Sequence, residues 1–526
     1  MTHSAEADRF PGVVIGAGMA GLTAAVHLAE RGIPPLVLEA DRLWPGGRMA
    51  GGAPDTFEYA GRTWAFDSEH GMHALWGSYD NLHTLIMRTT DLTLNPSPGE
   101  EWINRWGRDV RVIEAGNAVR SRWIPAPFHH LQLLFDPGIW AAITPLDFLS
   151  LPGLLFSILM TVGMDPLAEE LALDGLMMDE FFRGWTPNLR ATFTGLGVNL
   201  LAAPKEKISL TAFIAALRFY TLLRRDSWVL HYLPAPPHEC LLKPLIDFIE
   251  DHEGMVMMGA TAQRLERSGE GWRITIEDSV RGGMRSLLAE RVILAVQPPA
   301  AQRLLMNSPD TTEAAAQIRF PEAVQNATVR LWFNASPREG TPGGMLTGDF
   351  LPDNFFWMHR LYAPFREWHE VTGGSALEMH VYADQRVLSQ PENVLLIQCL
   401  DEAQRAFPNL RGHFVHGTVR LNTLDQTLLR IPTRESLWLN TPWPNLYACG
   451  DWIGYPTPSL WLERSTVTGI AAANAVLQAH GLEPFPIQSP RSPEAPARVL
   501  EAAVRLFRRT LGRVILRGGR AIQHRR

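Results

Sequence analysis

The sequence predicts an α/β fold: a discontinuous Rossmann-type domain, a second domain of α+β type, and a separate, strongly apolar helical region. Three observations predict it. Glycines at fixed spacing mark a strand–turn–helix near the front, a second glycine-marked strand and helix lie near residue 450, and an uncharged stretch surrounds residue 155. At 526 residues the chain suits two or three domains rather than one core. Hydrophobic residues at 46% and charged residues at 20% describe a globular protein, not a disordered one.

The front segment "GVVIGAGMAGLTAAVHLAERGIPPLVLEA" carries the first element. Val13–Ile15 is an unbroken apolar run, as expected of a parallel strand covered on both faces. Gly16, Gly18 and Gly21 follow with GxGxxG spacing. The first makes the turn, the second admits a pyrophosphate close to the backbone, and the third lets the helix pack on the sheet. Met19 and Ala20 open that helix, whose N-terminus faces the phosphates. Leu36–Leu38 is the next strand, and Glu39, followed by Ala40, is placed to accept hydrogen bonds from a ribose. GxGxxG alone is weak evidence. The strand before, the helix after and the acid at the right distance make dinucleotide binding the firm reading.

Two further segments select the dinucleotide. Gly46–Gly47–Arg48 follows the second strand and resembles the second phosphate-binding turn of flavoproteins, where an arginine can neutralise a diphosphate. Leu446–Cys449 is another strand, followed by Gly450–Asp451 and a helix from about Ser459 that includes Leu462. That helix end would stabilise negative charge on a reduced isoalloxazine. The expected cofactor is FAD. A third piece, "LIDFIEDHEGMVMMGATAQRLERSGEGWRITI" with Ala262, and the strand Val292–Val296 complete such a domain. The predicted division is therefore 10–95, 235–305 and 431–482 for FAD, 96–234 and 306–430 for the substrate, and 483–526 for a Pro-rich linker and a basic tail.

Charge is unevenly placed. The net charge is −7, yet the last 29 residues hold nine arginines and one acid, which leaves −15 on the rest. An acidic body would be repelled by nucleic acid, so an anionic membrane surface is the expected partner of the tail. Within it Leu500, Val504, Phe507, Leu511, Val514 and Ile515 form an apolar stripe at helical spacing. The region 124–165 is the most apolar, but its longest uncharged run, 148–163, has 16 residues and contains Pro152, short of the roughly 20 needed to span a bilayer. It reads either as a buried helical pair or as a patch dipping into one leaflet, a membrane-associating region. Cys240, Cys399 and Cys449 lie far apart, which fits a reducing compartment, and the N-terminus has no apolar run. The expected location is cytoplasmic and peripheral to the membrane.

The stretch "DSEHGMHALWGSYDNL", 67–82, places His70 and His73 three residues apart. A metal site would need a third protein ligand, and no metal is expected. Ordinary loop packing and the lining of a flat apolar pocket remain the two readings of these residues.

Together the motifs resemble the FAD-dependent desaturases of carotenoid biosynthesis, a branch of the flavin amine oxidase superfamily. The resemblance covers roughly residues 10 to 480 and includes "WIPAPFHHLQLLFDPGIWA", "LPAPPHECLLKPLIDFIEDHEG" and the closing Gly-Asp…Glu…Thr-Gly block. "EHGMH" and "LERSTVTG" are also similar to the aromatising carotene desaturase/methyltransferases. One departure is Arg464, where members often carry a small residue. The resemblance implies hydride transfer from a polyene to the flavin. His70 and His73 would line the flavin's reactive face, Gly71 would touch the cofactor beside them, and Glu463 and then His73 are the candidate catalytic groups. No motif marks an NAD(P) site, so reoxidation by a membrane quinone or oxygen is expected. The rival is an amine oxidase, which tryptophans such as Trp452 and Trp461 leave open as an aromatic cage.

Overall fold

The structure is a computed structural model and describes residues 8–107, 109–116, 122–169, 173 and 175–512. The apolar run Val13–Ile15 is fully buried at the centre of a seven-stranded mixed sheet. Five of its strands are parallel to their neighbours: Met255–Met257, Pro35–Leu38, Arg9–Ile15, Met284–Leu294 and Leu446–Ala448. An antiparallel extension, Gly271–Asp278 and Ala260–Ser268, continues it. Helix α1 (Met19–Glu30) joins the first two strands in chain order and buries its whole length from Met19 to Ala29, as its alanine-rich, all-round apolar sequence requires.

The second seven-stranded sheet runs in the order 414–427, 323–333, 375–381, 354–357, 343–348, 101–106, 109–113. Its second and third strands alternate. Ala327, Val329, Leu331, Leu377, Met379 and Val381 pack into a core of their own with Leu395 and Cys399 of the helix Glu392–Ala406. Asn326, Thr328, Arg330, Glu378 and His380 point the other way, with Arg330 opposite Glu378 and Thr328 opposite His380. That polar face holds the 67–73 loop: Thr328 and Asn422 donate to the His70 carbonyl, and Arg330 to that of Asp67.

Helix α2 (Asp80–Thr89) follows the 67–79 segment. The apolar region is neither a buried pair nor a short run. Residues 145–150 form a 3₁₀ turn that leads directly into helix α3 (Leu151–Gly163), so the helical run Pro145–Gly163 has 19 residues, with mean hydropathy 1.7 and one third of its most apolar stretch buried. By length and composition it suffices to cross a membrane, which the 16-residue count missed. The extra turn is capped from within by Asp147, whose carboxylate accepts from the N–H and hydroxyl of Thr144 (2.7 and 2.8 Å) and from Asn188 (2.7 Å). These bonds pin the run to the body at its N-terminal end. Leu146, Leu149, Leu151, Leu155 and Phe156 stay exposed along it.

Helix α4 (Trp461–Ala479) packs on α1, and α5 (Ala495–Phe507) packs on α3. A Cβ on Gly163 would lie 2.1 Å from Val504, so the two backbones approach closely there. The segment before α5 is a strap. Gln488 exchanges hydrogen bonds with Asn81 (2.8 and 3.0 Å), and Arg491 pairs with Asp80 and Asp226. The predicted apolar stripe of the tail is divided. Val504 faces α3, whereas Val499, Leu506 and Phe507 are the exposed apolar side chains of this helix. Val514, Ile515 and five of the tail's arginines lie outside the described residues.

Candidate active site

A cavity of about 510 Å³ runs between the two sheets. Its outer end is the glycine turn of the first sheet. Gly16 sits at φ +106°, where an added Cβ would come within 2.6 Å of the Ala295 carbonyl. Gly18 differs: the nearest atom to an added Cβ is the Gly46 carbonyl at 4.0 Å, so its α-carbon faces open cavity. Met19 and Ala20, at the N-terminus of α1, Glu39 with Ala40, and Gly47 with Arg48 line this same end, with Ala262 beside them. Gly21 does not line it. A Cβ there would strike the Gly16 carbonyl at 2.0 Å, so its part is to let α1 close on the turn.

Glu39 is more occupied than the sequence implies. One oxygen accepts from the Ala17 amide and the other from that of Asp41, both at 2.9 Å. Burial pushes its carboxyl upward, and those amides oppose the shift. Glu39 lines the cavity, and a carboxylate has acceptor capacity beyond these two amides. Arg48 and Asp451 meet in an ion pair at 2.5 Å, and the Arg48 guanidinium lies 5.9 Å from the centre of the Trp461 ring. Gly450, Asp451 and Leu462 line the cavity from the α4 side. Trp461 begins that helix at φ +49°, a conformation a bulky residue rarely adopts, and its indole N–H donates to the Leu200 carbonyl at 2.9 Å.

At the inner end His70, Gly71 and His73 meet Trp76, Tyr79, Leu200 and Ala202. The His70 and His73 rings are 6.2 Å apart. Among the described residues no group of three His, Cys, Asp or Glu side chains is placed to hold a metal ion. Burial, with His70, His380 and Arg48 nearby, lowers His73 to about 3, so this imidazole is neutral at ordinary pH and a poor base. Its Nδ1 is buried without a partner among the described residues.

Glu463 requires a correction. It is buried but does not line the cavity. Its carboxylate accepts from the Asn81 N–H (2.9 Å), the Asn81 side-chain amide (2.8 Å) and the Leu82 N–H (3.0 Å). No side chain of α2's own caps its first turn, and Glu463 supplies that cap from another helix. Arg464 is likewise turned away. Its guanidinium donates to the carbonyls of Ile453 (2.7 Å), Thr457 (2.9 Å) and Tyr455 (3.2 Å), fixing the loop that delivers α4.

Tyr79, from the 67–82 stretch read as pocket lining, does line the cavity and bonds the Tyr220 hydroxyl at 2.9 Å. Sequence reading missed three cavity residues: His380 and Tyr382, which come from the polar face of the second sheet, and Asn326 beside them. The alternation Leu377-Glu378-Met379-His380-Val381-Tyr382 was the available signal, since polar residues recurring on one face of a buried strand need partners.

The residues present fit a flavin dinucleotide. The cradle at Gly18 would be filled by a side chain, the first residues of two helices (α1 and α4) line one cavity, and the His73 Nδ1 lacks a partner among the described residues. The chain belongs to the flavin containing amine oxidoreductase family, whose model matches residues 19–477, and it is an FAD-dependent oxidoreductase. It is 26% identical to a carotenoid phi-ring synthase of Streptomyces griseus, over 89% of this chain and 88% of that protein. A carotenoid phi-ring synthase of Chlorobaculum tepidum is 21% identical, over 90% of each chain. The solved structure of cyclohexylamine oxidase from Brevibacterium oxydans superposes with a TM-score of 0.63, at 16% identity, over 90% of this chain and 99% of that one. An oxidoreductase from Methanosarcina mazei gives 0.59 at 14% identity, over 88% and 99%. At such identities these likenesses speak for the fold alone.

Proposed function

We propose that this enzyme desaturates a carotenoid or related polyisoprenoid, and that the two phi-ring synthases point to aromatisation of an end ring as the particular outcome. The observation that carries the reading is the inner end of the cavity. Trp76, Tyr79, Leu200 and Ala202 make an aromatic and aliphatic wall, and both lining carboxylates are occupied at the outer end, Glu39 by backbone amides and Asp451 by Arg48. A polyene suits that wall. A cationic amine would lack a carboxylate partner among the described lining residues.

In this reading Gly16, Gly18, Met19, Ala20 and Arg48 hold the diphosphate, Glu39 and Ala40 the ribose, and Gly450, Asp451 and Leu462 the flavin end. The first sheet is then a Rossmann-type FAD domain assembled from 10–95, 235–305 and 431–482, and the second sheet belongs to the substrate domain. Bound FAD supplies a two-electron acceptor for hydride. The chain orients the reacting C–C bond against the aromatic wall and excludes water, and neutral His73 offers a hydrogen bond without adding charge beside a developing cation. A membrane quinone or oxygen completes the cycle.

The enzyme works at a membrane surface. Leu149, Leu155, Phe156 and Phe135 are more than half exposed, and Leu506 and Phe507 of α5 add exposed apolar side chains. Such a surface supports docking in one leaflet, which places the enzyme where a water-insoluble substrate resides. The deciding experiment mixes the oxidised enzyme anaerobically with 15-cis-phytoene or β-carotene in vesicles, and separately with primary amines. Bleaching of the flavin absorbance by a polyene supports the reading, and bleaching by amines alone overturns it.

A further inference from the structure

We propose that Tyr382, His380 and Glu378 form a proton relay at the inner end of the cavity and remove the proton that must leave the substrate after hydride transfer. The inference rests on the dehydrogenation proposed above.

The three residues occupy alternate positions at the end of one strand, so their side chains stand in a row on its polar face. The Tyr382 hydroxyl lies 3.1 Å from His380 Nδ1, and His380 Nε2 lies 2.9 Å from a Glu378 oxygen. Tyr382 and His380 line the cavity, and Glu378 is wholly buried behind them. The surroundings fix the direction of the row. Glu378 also accepts from the Met72 amide and from Arg330 Nε, both at 2.6 Å, and these donors with His380 hold its carboxyl well below the usual range despite burial. An ionised Glu378 requires His380 to carry its proton on Nε2. That leaves Nδ1 as an acceptor, to which the phenol donates. Gly71 seals the far side of the ring, since a Cβ there would sit 2.6 Å from Nε2. The arrangement is hydroxyl–imidazole–carboxylate, with its hydroxyl and imidazole on the cavity and its carboxylate buried behind them.

The step balances. One substrate C–H bond breaks with both electrons leaving as hydride to the bound flavin, the oxidant of this enzyme class. The neighbouring C–H bond then breaks, and its electron pair forms the new C=C bond. That proton passes to the Tyr382 oxygen as the phenol's own proton passes to His380 Nδ1. The imidazolium so formed rests against the Glu378 carboxylate.

His380→Gln and Tyr382→Phe test the relay in the full-length enzyme, with FAD content and visible spectrum as controls. Tyr382→Phe removes a single oxygen, so it serves even where His380→Gln loses FAD. In this relay hydride transfer stays reversible until the proton is lost, so with β-carotene and 15-cis-phytoene in vesicles each variant should slow net anaerobic flavin reduction about 100-fold. Each should also show a larger isotope effect than wild type when the substrate is deuterated at the proton-losing carbon. A purely structural role would not move that isotope effect. Reduction within about threefold of wild type in Tyr382→Phe, with an unchanged isotope effect, overturns the relay and leaves the polyene reading intact. A wild-type enzyme bleached by neither polyene overturns both.

Discussion

The carboxylate of Asp451 and the guanidinium of Arg48 meet at 2.5 Å, although 403 residues separate them in the chain. Arg48 follows the glycine turn Gly46–Gly47, and Asp451 follows the last parallel strand of the first sheet, so one contact ties two distant segments across the cavity rim. Asp451 is buried and Arg48 is 21% exposed. Removing the arginine strands a buried carboxylate, a change that costs about 3–5 kcal/mol when a pair is fully buried and less here. Arg48→Ala should lose FAD on gel filtration and melt several degrees lower. Arg48→Lys should retain part of both, because it keeps the charge but not the planar fork. Unaltered FAD retention in Arg48→Ala would remove this residue from the binding site.

Gly18→Val makes a sharper test of the phosphate turn. An added Cβ meets no protein atom closer than 4.0 Å, so the backbone has room for a side chain here, yet that side chain projects into the space assigned to the pyrophosphate. The expected protein is folded, colourless and free of FAD. A yellow, fully loaded variant would place the dinucleotide elsewhere.

Glu463 separates capping from catalysis. Burial raises its carboxyl to about 7, with the Asn81 and Leu82 donors opposing the shift. The native state therefore binds a proton that the unfolded chain releases above its lower, ordinary value, and this contribution is present below that value and lost as pH rises through about 7. Glu463→Gln should lower stability by about 1–3 kcal/mol, because a neutral amide cannot serve all three donors. The gap to wild type should narrow as pH rises from about 5 to about 8. Thermal melts across pH measure both. Flavin reduction by substrate should hardly change, and a 100-fold loss at intact FAD content would restore Glu463 as a catalytic group.

Much of the cofactor end was legible because glycine spacing, strand and helix coincide within 30 residues, and backbone requirements leave few alternatives at Gly16 and Gly18. The inner end was not. Glu463 lies next to Leu462 in sequence, but on a helix adjacent residues point about 100° apart, and only Leu462 faces the cavity. Tyr382 and His380 reach the site through strand pairings formed between residues 323 and 427, so the local alternation marks a polar strand face but not the cavity it lines. The strap after residue 483 reads as a linker from its prolines. Hydrogen bonds from Asn81, which contacts both Glu463 and Gln488, make it part of the body.

The membrane prediction changes with the structure. The sequence alone would assign anchoring to the arginine-rich tail, but Arg505 pairs with Glu501 at 2.8 Å, Arg218 bonds the same carboxylate at 2.5 Å, and Val504 is packed on α3. Described tail residues therefore serve the protein's own surface as well. The exposed side chains Leu149 (72%), Phe156 (64%) and Leu155 (58%) are better placed to enter lipid. Each fully buried side chain of this kind gains about 1.5–3 kcal/mol, and a charge in its place reverses the gain. Leu149→Glu with Phe156→Glu should keep FAD and the melting temperature, because neither residue is packed in the core, yet reduce sedimentation with phosphatidylglycerol vesicles at least about 100-fold in partition coefficient. Truncation after Pro496 should weaken binding less and remove most of its salt dependence, since it deletes the tail's arginines but, of the exposed apolar surface, only the α5 part with Leu506 and Phe507. If the double variant sediments like wild type while the truncation does not sediment at all, the tail is the anchor and the α3 surface is not.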